Sequence, residues 1–133
     1  MKLSDFDFRV VDNTEKQFLQ TNVALAITNS RQHTIVGNLF STNFLKNNND
    51  LELELWTGFY DKNGKKIYEN DILMDKDSIG DDGEAFVYKV VFKQGAFYLA
   101  VIDDSEEFLI SDFLLEDLEI IGNIHENEDL LLG

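Results

Sequence analysis

Carboxylates are the reactive side chains that this sequence supplies in number, and several of them share one short stretch of chain. The stretch contains Asp75, Asp77, Asp81, Asp82 and Glu84. Clustered oxygens of this kind suit a calcium or magnesium ion. An EF-hand frame that begins at Asp75 fails, however, because it puts Ile79 and Phe86 at positions five and twelve, where the ion requires oxygen ligands. The sequence therefore predicts a solvated acidic loop that holds neither a metal nor a cofactor.

Motifs for the other common site chemistries are missing from the sequence. The histidines are His33 and His125, with no HExxH pairing and no cysteine beside them, so no zinc site is predicted. There is no GxSxG elbow, no phosphate loop with its lysine and no GxGxxG opening a helix. We expect a protein that is not an enzyme, since no base, nucleophile and oxyanion donor can be placed together. A hydrolase that uses scattered carboxylates, with or without a metal, is the least favoured alternative.

The net charge of −15 belongs to one part of the chain. Residues 1–50 are neutral, with equal numbers of acidic and basic side chains, so residues 51–133 carry the whole excess. No lysine or arginine follows Gln94. Phosphates and anionic lipids are bound by cations, so direct binding to nucleic acid or a membrane is not expected. The charge favours an unidentified protein partner with a basic surface, or serves solubility alone.

Length and composition predict a single domain over residues 1–133 that needs no covalent staple. We divide it into a neutral, variable β/loop part at 1–50 and an acidic β-rich core at 51–133. The absence of cysteine suits a reducing compartment. With no basic stretch followed by an apolar run at the N-terminus, and no apolar run near the roughly 20 residues of a membrane span, we expect a soluble protein of the bacterial cytoplasm.

Two hairpins are the clearest elements that could position these side chains. In Leu51–Trp56, leucines and glutamates alternate, which predicts a strand with apolar and acidic faces. The turn Asp61-Lys62-Asn63-Gly64 then leads into Lys66–Tyr68, since Asp first and Gly last favour a type I turn with a left-handed glycine. A second hairpin is predicted around Gln94-Gly95. Its strands are Ala85–Lys93 and Ala96–Val101.

The rest of the chain predicts more short strands and little helix. Further strands are predicted at Phe6–Val10, Gln17–Leu19, Val23–Ile27, Glu107–Ile110 and Leu118–Ile124, although Val23–Ile27 also suits one helical turn. Asn29–Asp50 and Asp75–Glu84 are predicted loops. A short C-terminal helix is predicted over Glu126–Leu132 with Asn127 as a candidate N-cap. The fold class is mainly β (β or α+β), a small barrel-like or complex multi-stranded antiparallel sheet.

Two segments resemble the hallmarks of the YopX family of phage and prophage proteins. Trp56–Ile72 resembles "TGLKDKNGKEIYEGDIV", and Asp117–Asn127 resembles "LEVIGNIYENPEL". The chain departs from these patterns with Asn70 in place of Gly, His125 in place of Tyr and Glu128 in place of Pro. Asparagine tolerates a positive φ, so the turn at Asn70 can still form. Residues 20–50 show no resemblance to the family.

The resemblance implies a small β-rich domain of unassigned molecular function, with no catalytic residue to carry over. The residues that match the motifs look structural, supplying turns and core positions. They are Gly58, Asp61, Asn63, Gly64, Ile67, Tyr68, Asp71, Ile72, Gly122 and Asn123.

The leading hypothesis is a non-enzymatic phage accessory protein that acts through protein–protein contact. The candidate interaction surface consists of Glu106, Glu107, Asp112, Glu116 and Asp117. The alternative is a DNA mimic that occupies the basic groove of a host nucleic-acid-binding protein. Acids along one ridge would favour mimicry, whereas acids spread over all faces would not. Homo-oligomerisation through strand edges or the apolar tail Leu130-Leu131-Leu132 is compatible with either hypothesis.

Overall fold

The computed structural model describes residues 2, 5–13, 17–18, 23–27, 34–38, 51–79, 83–103, 105–113 and 115–131. Strands dominate this part of the chain, which confirms the prediction of a mainly β protein. In chain order they are β1 (Phe8–Asp12), β2 (Gln17–Phe18), β3 (Val23–Ile27), β4 (Thr34–Asn38), β5 (Leu51–Tyr60), β6 (Lys66–Tyr68), β7 (Asp71–Ile79), β8 (Ala85–Lys93), β9 (Ala96–Val101), β10 (Glu107–Leu109) and β11 (Leu118–Asn123).

The chain divides into two compact units. The smaller unit is residues 9–53, and the larger combines residues 1–8 with residues 54–133. Strands β1 and β5 each cross the boundary between the two units. The prediction of one domain over the whole chain stays a prediction.

The smaller unit contains two antiparallel strand pairs. Val11 of β1 lies opposite Phe18 of β2, and the Arg9 guanidinium lies 4.2 Å from the centre of the Phe18 ring. In the second pair, Leu25 of β3 lies opposite Val36 of β4. The predicted loop is therefore wrong at 34–38, because this β-branched stretch finds a cross-strand partner that local sequence does not reveal.

The larger unit is built on an antiparallel sheet of five strands in the order β10-β9-β8-β7-β11. The predicted second hairpin is confirmed as β8 and β9, with Lys93 opposite Ala96. Its turn residues Gln94 and Gly95 both have positive φ values, 51° and 78°. A two-residue type I′ turn requires this geometry, and its twist matches that of the flanking strands.

One face of this sheet carries the hydrophobic core. Strand register puts Leu73 beside Tyr88, and Val90 beside Leu99, on the same face, and all four side chains are buried. Ile67 from β6 joins the same buried cluster. Burying an aliphatic or aromatic side chain contributes about 1.5–3 kcal/mol, so this face is the main source of stability for the unit.

A connection runs across the core face from one sheet edge to the other. Residues 110–117, which we call the crossing segment, leave β10 and lead to β11 at the opposite edge. Ile110 and Leu115, each in a short 3-10 turn, are buried in the core. Between them Phe113 packs edge-on against Tyr88 of the central strand, with 5.1 Å between ring centres. The segment therefore covers the core with its apolar side and turns its polar residues outward.

The first predicted hairpin is also confirmed, as β5 and β6. Trp56 pairs with Tyr68, and Tyr60 pairs with Lys66, with a shift in register between the two pairs. Gly58 lies inside this irregularity with a φ of 89°, and Gly64 ends the turn with a φ of 78°. Both values fall in the left-handed region that glycine enters without steric cost.

Three other expectations need correction. Within the described residues the five-stranded sheet is open and no closed barrel is found. The predicted loop at Asp75–Glu84 is wrong over its first residues, because β7 continues to Ile79. The predicted C-terminal helix is not seen: Glu128–Leu131 forms one 3-10 turn. So short a segment cannot repay the cost of helix nucleation, and Asn127 is engaged with the turn before it.

Several predictions lie outside the described residues. These concern Asp81 and Asp82 of the acidic loop, His33, the remainder of residues 29–50, and Leu132. In the part of the chain that the structure describes, no helix has the length and apolar character needed to cross a membrane.

The segment before β1 is attached to the β5–β6 hairpin through Asp7. Its Oδ2 accepts hydrogen bonds from Lys66 Nζ and from the Tyr68 hydroxyl, both at 2.8 Å, while its carbonyl accepts the Trp56 N–H at 3.0 Å. Partial burial raises the pKa of Asp7, but the hydrogen bonds from Lys66 and Tyr68 outweigh it, so the pKa is lowered overall.

We expect the substitution Asp7→Asn to destabilise the protein near neutral pH, by less than about 1 kcal/mol because the Lys66 and Asp7 side chains are partly exposed, at 39% and 34%. A lowered folded-state pKa adds stability above the unfolded pKa and loses it as the pH falls through the folded value. The difference between the two proteins should therefore shrink as the pH falls below the ordinary Asp value of 3.8 and vanish below the lowered folded-state pKa. Thermal unfolding at a series of pH values measures this. A difference that persists in acid would contradict the assignment, and Asp112→Asn is the exposed control.

Candidate functional site

Asp61 is a buried carboxylate at the start of the β5–β6 turn. It is 5% exposed. Its Oδ1 accepts the backbone N–H groups of Asn63 at 2.8 Å and Lys65 at 2.9 Å, and its Oδ2 accepts the N–H of Ile120 in β11 at 3.1 Å. An aspartate at the first turn position commonly bonds the N–H two residues on. The third bond links the turn to a strand 59 residues further along the chain.

The two family-like motifs meet along this contact. Besides the bond from Asp61, the Lys62 N–H donates to the Leu118 carbonyl at 2.9 Å, and the Ile124 N–H donates to the Asn70 carbonyl at 3.0 Å. We call this region the motif joint. It comprises Asp61, Lys62, Asn70, Leu118, Ile120 and Ile124. Each of its cross-motif bonds uses a backbone group, and in one of them the acceptor is the side-chain carboxylate of Asp61.

Asn70 occupies the turn between β6 and β7 with a φ of 70°, which confirms the prediction that an asparagine can hold this turn. Its N–H donates to the Val90 carbonyl at 2.9 Å. The neighbouring Asp71 is 2% exposed, and its Oδ2 accepts the Tyr68 N–H at 2.8 Å. The turn is thus fixed on both sides by hydrogen bonds that backbone N–H groups donate.

The second motif closes on itself through Asn123 and Asn127. Oδ1 of Asn123 accepts the N–H groups of His125 and Glu126, and Oδ1 of Asn127 accepts the Asn123 N–H at 3.2 Å. A Cβ on Gly122 would lie 2.6 Å from Cγ of Asn127, so only glycine leaves room for this side chain. These contacts hold the chain after β11 in a tight turn.

Glu54 is a buried acid that sequence reasoning missed. It is 1% exposed, although alternation along β5 ordinarily turns a glutamate to solvent, and its neighbour Leu53 is 36% exposed instead. The Glu54 carboxylate accepts a hydrogen bond from the side-chain amide of Asn70 and lies 2.7 Å from Nε2 of His125. We call Glu54, Asn70 and His125 the polar trio. A buried carboxylate requires such partners, because its desolvation otherwise costs several kcal/mol.

Both partners of Glu54 stand where the chain departs from the family-like motifs. Asn70 replaces a glycine of the first motif, and His125 replaces a tyrosine of the second. The departures are remote in sequence but share one carboxylate.

The geometry of the polar trio suits a structural role. A carboxylate beside an imidazole can orient a catalytic base, but such a base must reach a substrate. The Glu54 side chain is 1% exposed and the His125 side chain 11% exposed, so both are closed to solvent. Among the described residues, no group of three or more His, Asp or Glu side chains is arranged to hold a metal ion.

The structure gives the motif residues turn and core positions. Ile67 and Ile72 are fully buried, and Asp61, Asp71 and Asn123 are buried and hydrogen-bonded. Gly58 and Gly64 have positive φ values, and Gly122 leaves room for the Asn127 side chain. The Tyr68 hydroxyl donates a hydrogen bond to Asp7, and Asn63 is exposed while its N–H donates to Asp61.

The candidate interaction acids lie in one continuous stretch of the larger unit, and all are exposed. We call them the acidic strip: Glu106, Glu107, Asp112, Glu116 and Asp117. The first two lie at the β10 edge, Asp112 lies in the 3-10 turn next to β9, and the last two lie in the 3-10 turn next to β7. The strip therefore extends from β10 to β7, about 14 Å for three strand spacings, and the acids do not form one tight cluster.

The lysines near the acidic strip form ion pairs with acids that lie outside the middle of the strip. Lys62 and Lys76 flank Glu119, at 3.7 Å and 2.7 Å, and Lys66 pairs with Asp7. Lys93 pairs with Glu107. In the part of the chain that the structure describes, Asp112, Glu116 and Asp117 have no ion-pair partner, so their charges face solvent unbalanced.

Two apolar side chains next to the strip are exposed. Phe108 is 38% and Leu109 40% exposed, and both lie in β10 at the edge of the sheet. Sequence reasoning predicted the strand but not the exposure, which depends on β10 being an edge strand. Burial raises the pKa of Tyr88, with further contributions from the charges of Asp75 and Glu106, so the negative field extends to the core beneath the strip.

The open five-stranded sheet and the motif joint define a small antiparallel β protein whose two motifs come together at one sheet edge. The YopX protein family model matches residues 7–132, so the chain belongs to the YopX family, as the motifs suggested. No curated protein matches the sequence.

Two solved structures have a similar fold. Protein EF1440 from Enterococcus faecalis is 24% identical with a TM-score of 0.65, and the match covers 95% of this chain and 97% of that one. Protein yopX from Bacillus subtilis is 22% identical with a TM-score of 0.63, covering 92% and 95%. Identities this low establish the shared fold only.

We expect removal of one member of the polar trio to be costly only while Glu54 is present. His125→Ala should lower the free energy of unfolding by about 3 kcal/mol, because it leaves a buried carboxylate short of a partner. In a Glu54→Leu background the same substitution should cost less than about 1 kcal/mol, since there is no charge to satisfy. Urea unfolding of the four proteins in this cycle measures the coupling.

The control is Lys93→Ala, which breaks the exposed pair with Glu107 and should cost no more than about 1 kcal/mol. Equal losses for His125→Ala in both backgrounds would mean that the imidazole contributes packing alone.

Proposed function

We propose that this chain is a non-enzymatic protein-binding accessory protein of a phage or prophage, acting in the bacterial cytoplasm. Its binding surface is the acidic strip, and its partner is a protein with a basic surface. The observation that carries the proposal is the unbalanced charge of Asp112, Glu116 and Asp117 on the outer side of the crossing segment.

The crossing segment is well placed for this role. Buried Ile110 and Leu115 fix it to the core, so the acids between and beside them are held on a rigid support. Complementary charge steers association and sets orientation, and a preorganised surface loses little conformational entropy on binding. The closed polar trio supports binding over catalysis, since Glu54 and His125 are withdrawn from solvent.

Affinity capture with matched charge variants tests the proposal. The strip variant combines Asp112→Asn, Glu116→Gln and Asp117→Asn. The control variant combines Glu52→Gln, Asp77→Asn and Asp129→Asn, which removes the same charge from exposed positions elsewhere. In Bacillus subtilis and Enterococcus faecalis lysates, we expect the wild type and the control to enrich a common basic protein and the strip variant to lose at least about tenfold of it. Equal recovery by both variants would overturn the proposal.

A DNA mimic is the second candidate, favoured by acids that are spread along the sheet instead of gathered in one cluster. Glu107 lies on the sheet face opposite Phe108, so the other four carboxylates, across about 14 Å, give roughly one for every 4–5 Å, against about one phosphate per 3.4 Å of axis on one DNA strand. Adding duplex DNA to the capture separates the two candidates. A partner released by the duplex uses a DNA-binding groove, whereas a partner retained against it does not.

A further inference from the structure

We propose that the β10 edge binds an extended, basic segment of the partner protein by strand addition. The inference rests on the proposed function and specifies the form of its partner. The segment would add a sixth strand to the sheet beside β10, with main-chain hydrogen bonds giving affinity and side chains giving selectivity.

The backbone of β10 has the geometry for this. Glu107 lies opposite Ala100, Phe108 opposite Leu99 and Leu109 opposite Tyr98. The Val101 N–H donates to the Glu106 carbonyl at 2.9 Å, which makes those two residues a hydrogen-bonded pair. Bonded and non-bonded pairs alternate along an antiparallel ladder. The N–H and C=O groups of Glu107 and the N–H of Leu109 therefore point away from β9, toward the outer edge.

No described strand pairs with that outer edge, because β10 is the terminal strand of its sheet. The strand also exposes an unusual amount of apolar surface for an edge, with Phe108 on the core side and Leu109 on the opposite side. Natural proteins commonly keep exposed edges charged and free of apolar side chains. At β10 the exposed acids Glu106 and Glu107 lie directly beside the exposed apolar pair, so one edge offers both charge and apolar surface to a partner.

Charge determines which segment fits. A second copy of this chain carries the same net charge of −15 and the same acids at this edge, so charge repulsion opposes edge-to-edge pairing of two copies. No lysine or arginine follows Gln94 to relieve that repulsion from the C-terminal part of the chain. The occupant is therefore a basic segment of another protein.

The order of residues along β10 also specifies the order in the occupant. An antiparallel partner strand meets Leu109, Phe108, Glu107 and Glu106 in that sequence. Its side chains must accordingly run apolar, apolar, basic, basic from N- to C-terminus. A peptide with the central order Ile-Val-Lys-Arg is the probe, and a peptide of the same composition in the order Lys-Ile-Arg-Val is its control.

The substitution Leu109→Pro removes the N–H group that points to the outer edge and keeps the backbone conformation of this position. Its φ of −58° and ψ of 133° are values that proline adopts without strain. Because its N–H points away from β9, Leu109→Pro leaves the β9–β10 ladder in place. Leu109→Ala removes the same side chain but keeps the N–H, so the pair isolates the hydrogen bond. Matching thermal unfolding of the two variants verifies that both are folded.

Fluorescence anisotropy with the labelled probe measures the effect. We expect Leu109→Pro to bind about tenfold more weakly than Leu109→Ala, the loss of one main-chain hydrogen bond. We expect the ordered peptide to bind more tightly than the control peptide. Equal binding of both variants, or of both peptides, would overturn strand addition and leave only charge attraction.

The same variants separate this inference from the proposed function. If lysate capture is lost in the strip variant but equal for Leu109→Pro and Leu109→Ala, strand addition is wrong and the protein-binding function stands. If the wild type is a dimer by light scattering and Leu109→Pro is a monomer, the edge is occupied by a second copy, which overturns the inference.

Discussion

The structure of the larger unit depends on one buried carboxylate that satisfies backbone groups from two distant parts of the chain. Asp61 accepts the N–H groups of Asn63 and Lys65 within its own turn and that of Ile120 in β11. A buried N–H without a partner costs about 1–3 kcal/mol, so the acid couples the shape of the turn to the position of the last strand. In this chain the first motif therefore supplies the acceptor for a backbone N–H of the second motif.

The motif joint also explains where the acidic strip lies. Once β11 is fixed at one edge of the sheet by the turn after β5, the chain from β10 must traverse the core face to reach it. Ile110 and Leu115 anchor this crossing, and its outer side is left for polar residues. The acids follow that path, so the proposed binding surface is a consequence of strand order combined with a sequence that contains no cation after Gln94.

The sequence correctly predicted the features that depend on residues close together in the chain. The hairpin turns at residues 61–64 and 94–95 follow from Asp, Asn and Gly preferences, and the mainly β class follows from alternation. Tertiary contacts decided the rest. Glu54 is buried because Asn70 and His125 lie against it, 16 and 71 residues away, and no local pattern reveals that. The exposure of Phe108 and Leu109 likewise depends on β10 lying at an edge. The departures at Asn70 and His125 were visible in the sequence, but not the carboxylate that they share.

Hydrogen exchange of individual amides in wild type and Asp61→Ala measures whether Asp61 couples the turn after β5 to β11. If it does, protection falls together at Asn63, Lys65 and Ile120 and also at Ile124, which bonds Asn70 at the far end of the motif joint. Amides of the β8–β9 hairpin should keep their protection, since they bond to each other. Loss confined to Asn63 and Lys65, with Ile120 and Ile124 unchanged, would contradict the account and reduce Asp61 to a local turn residue.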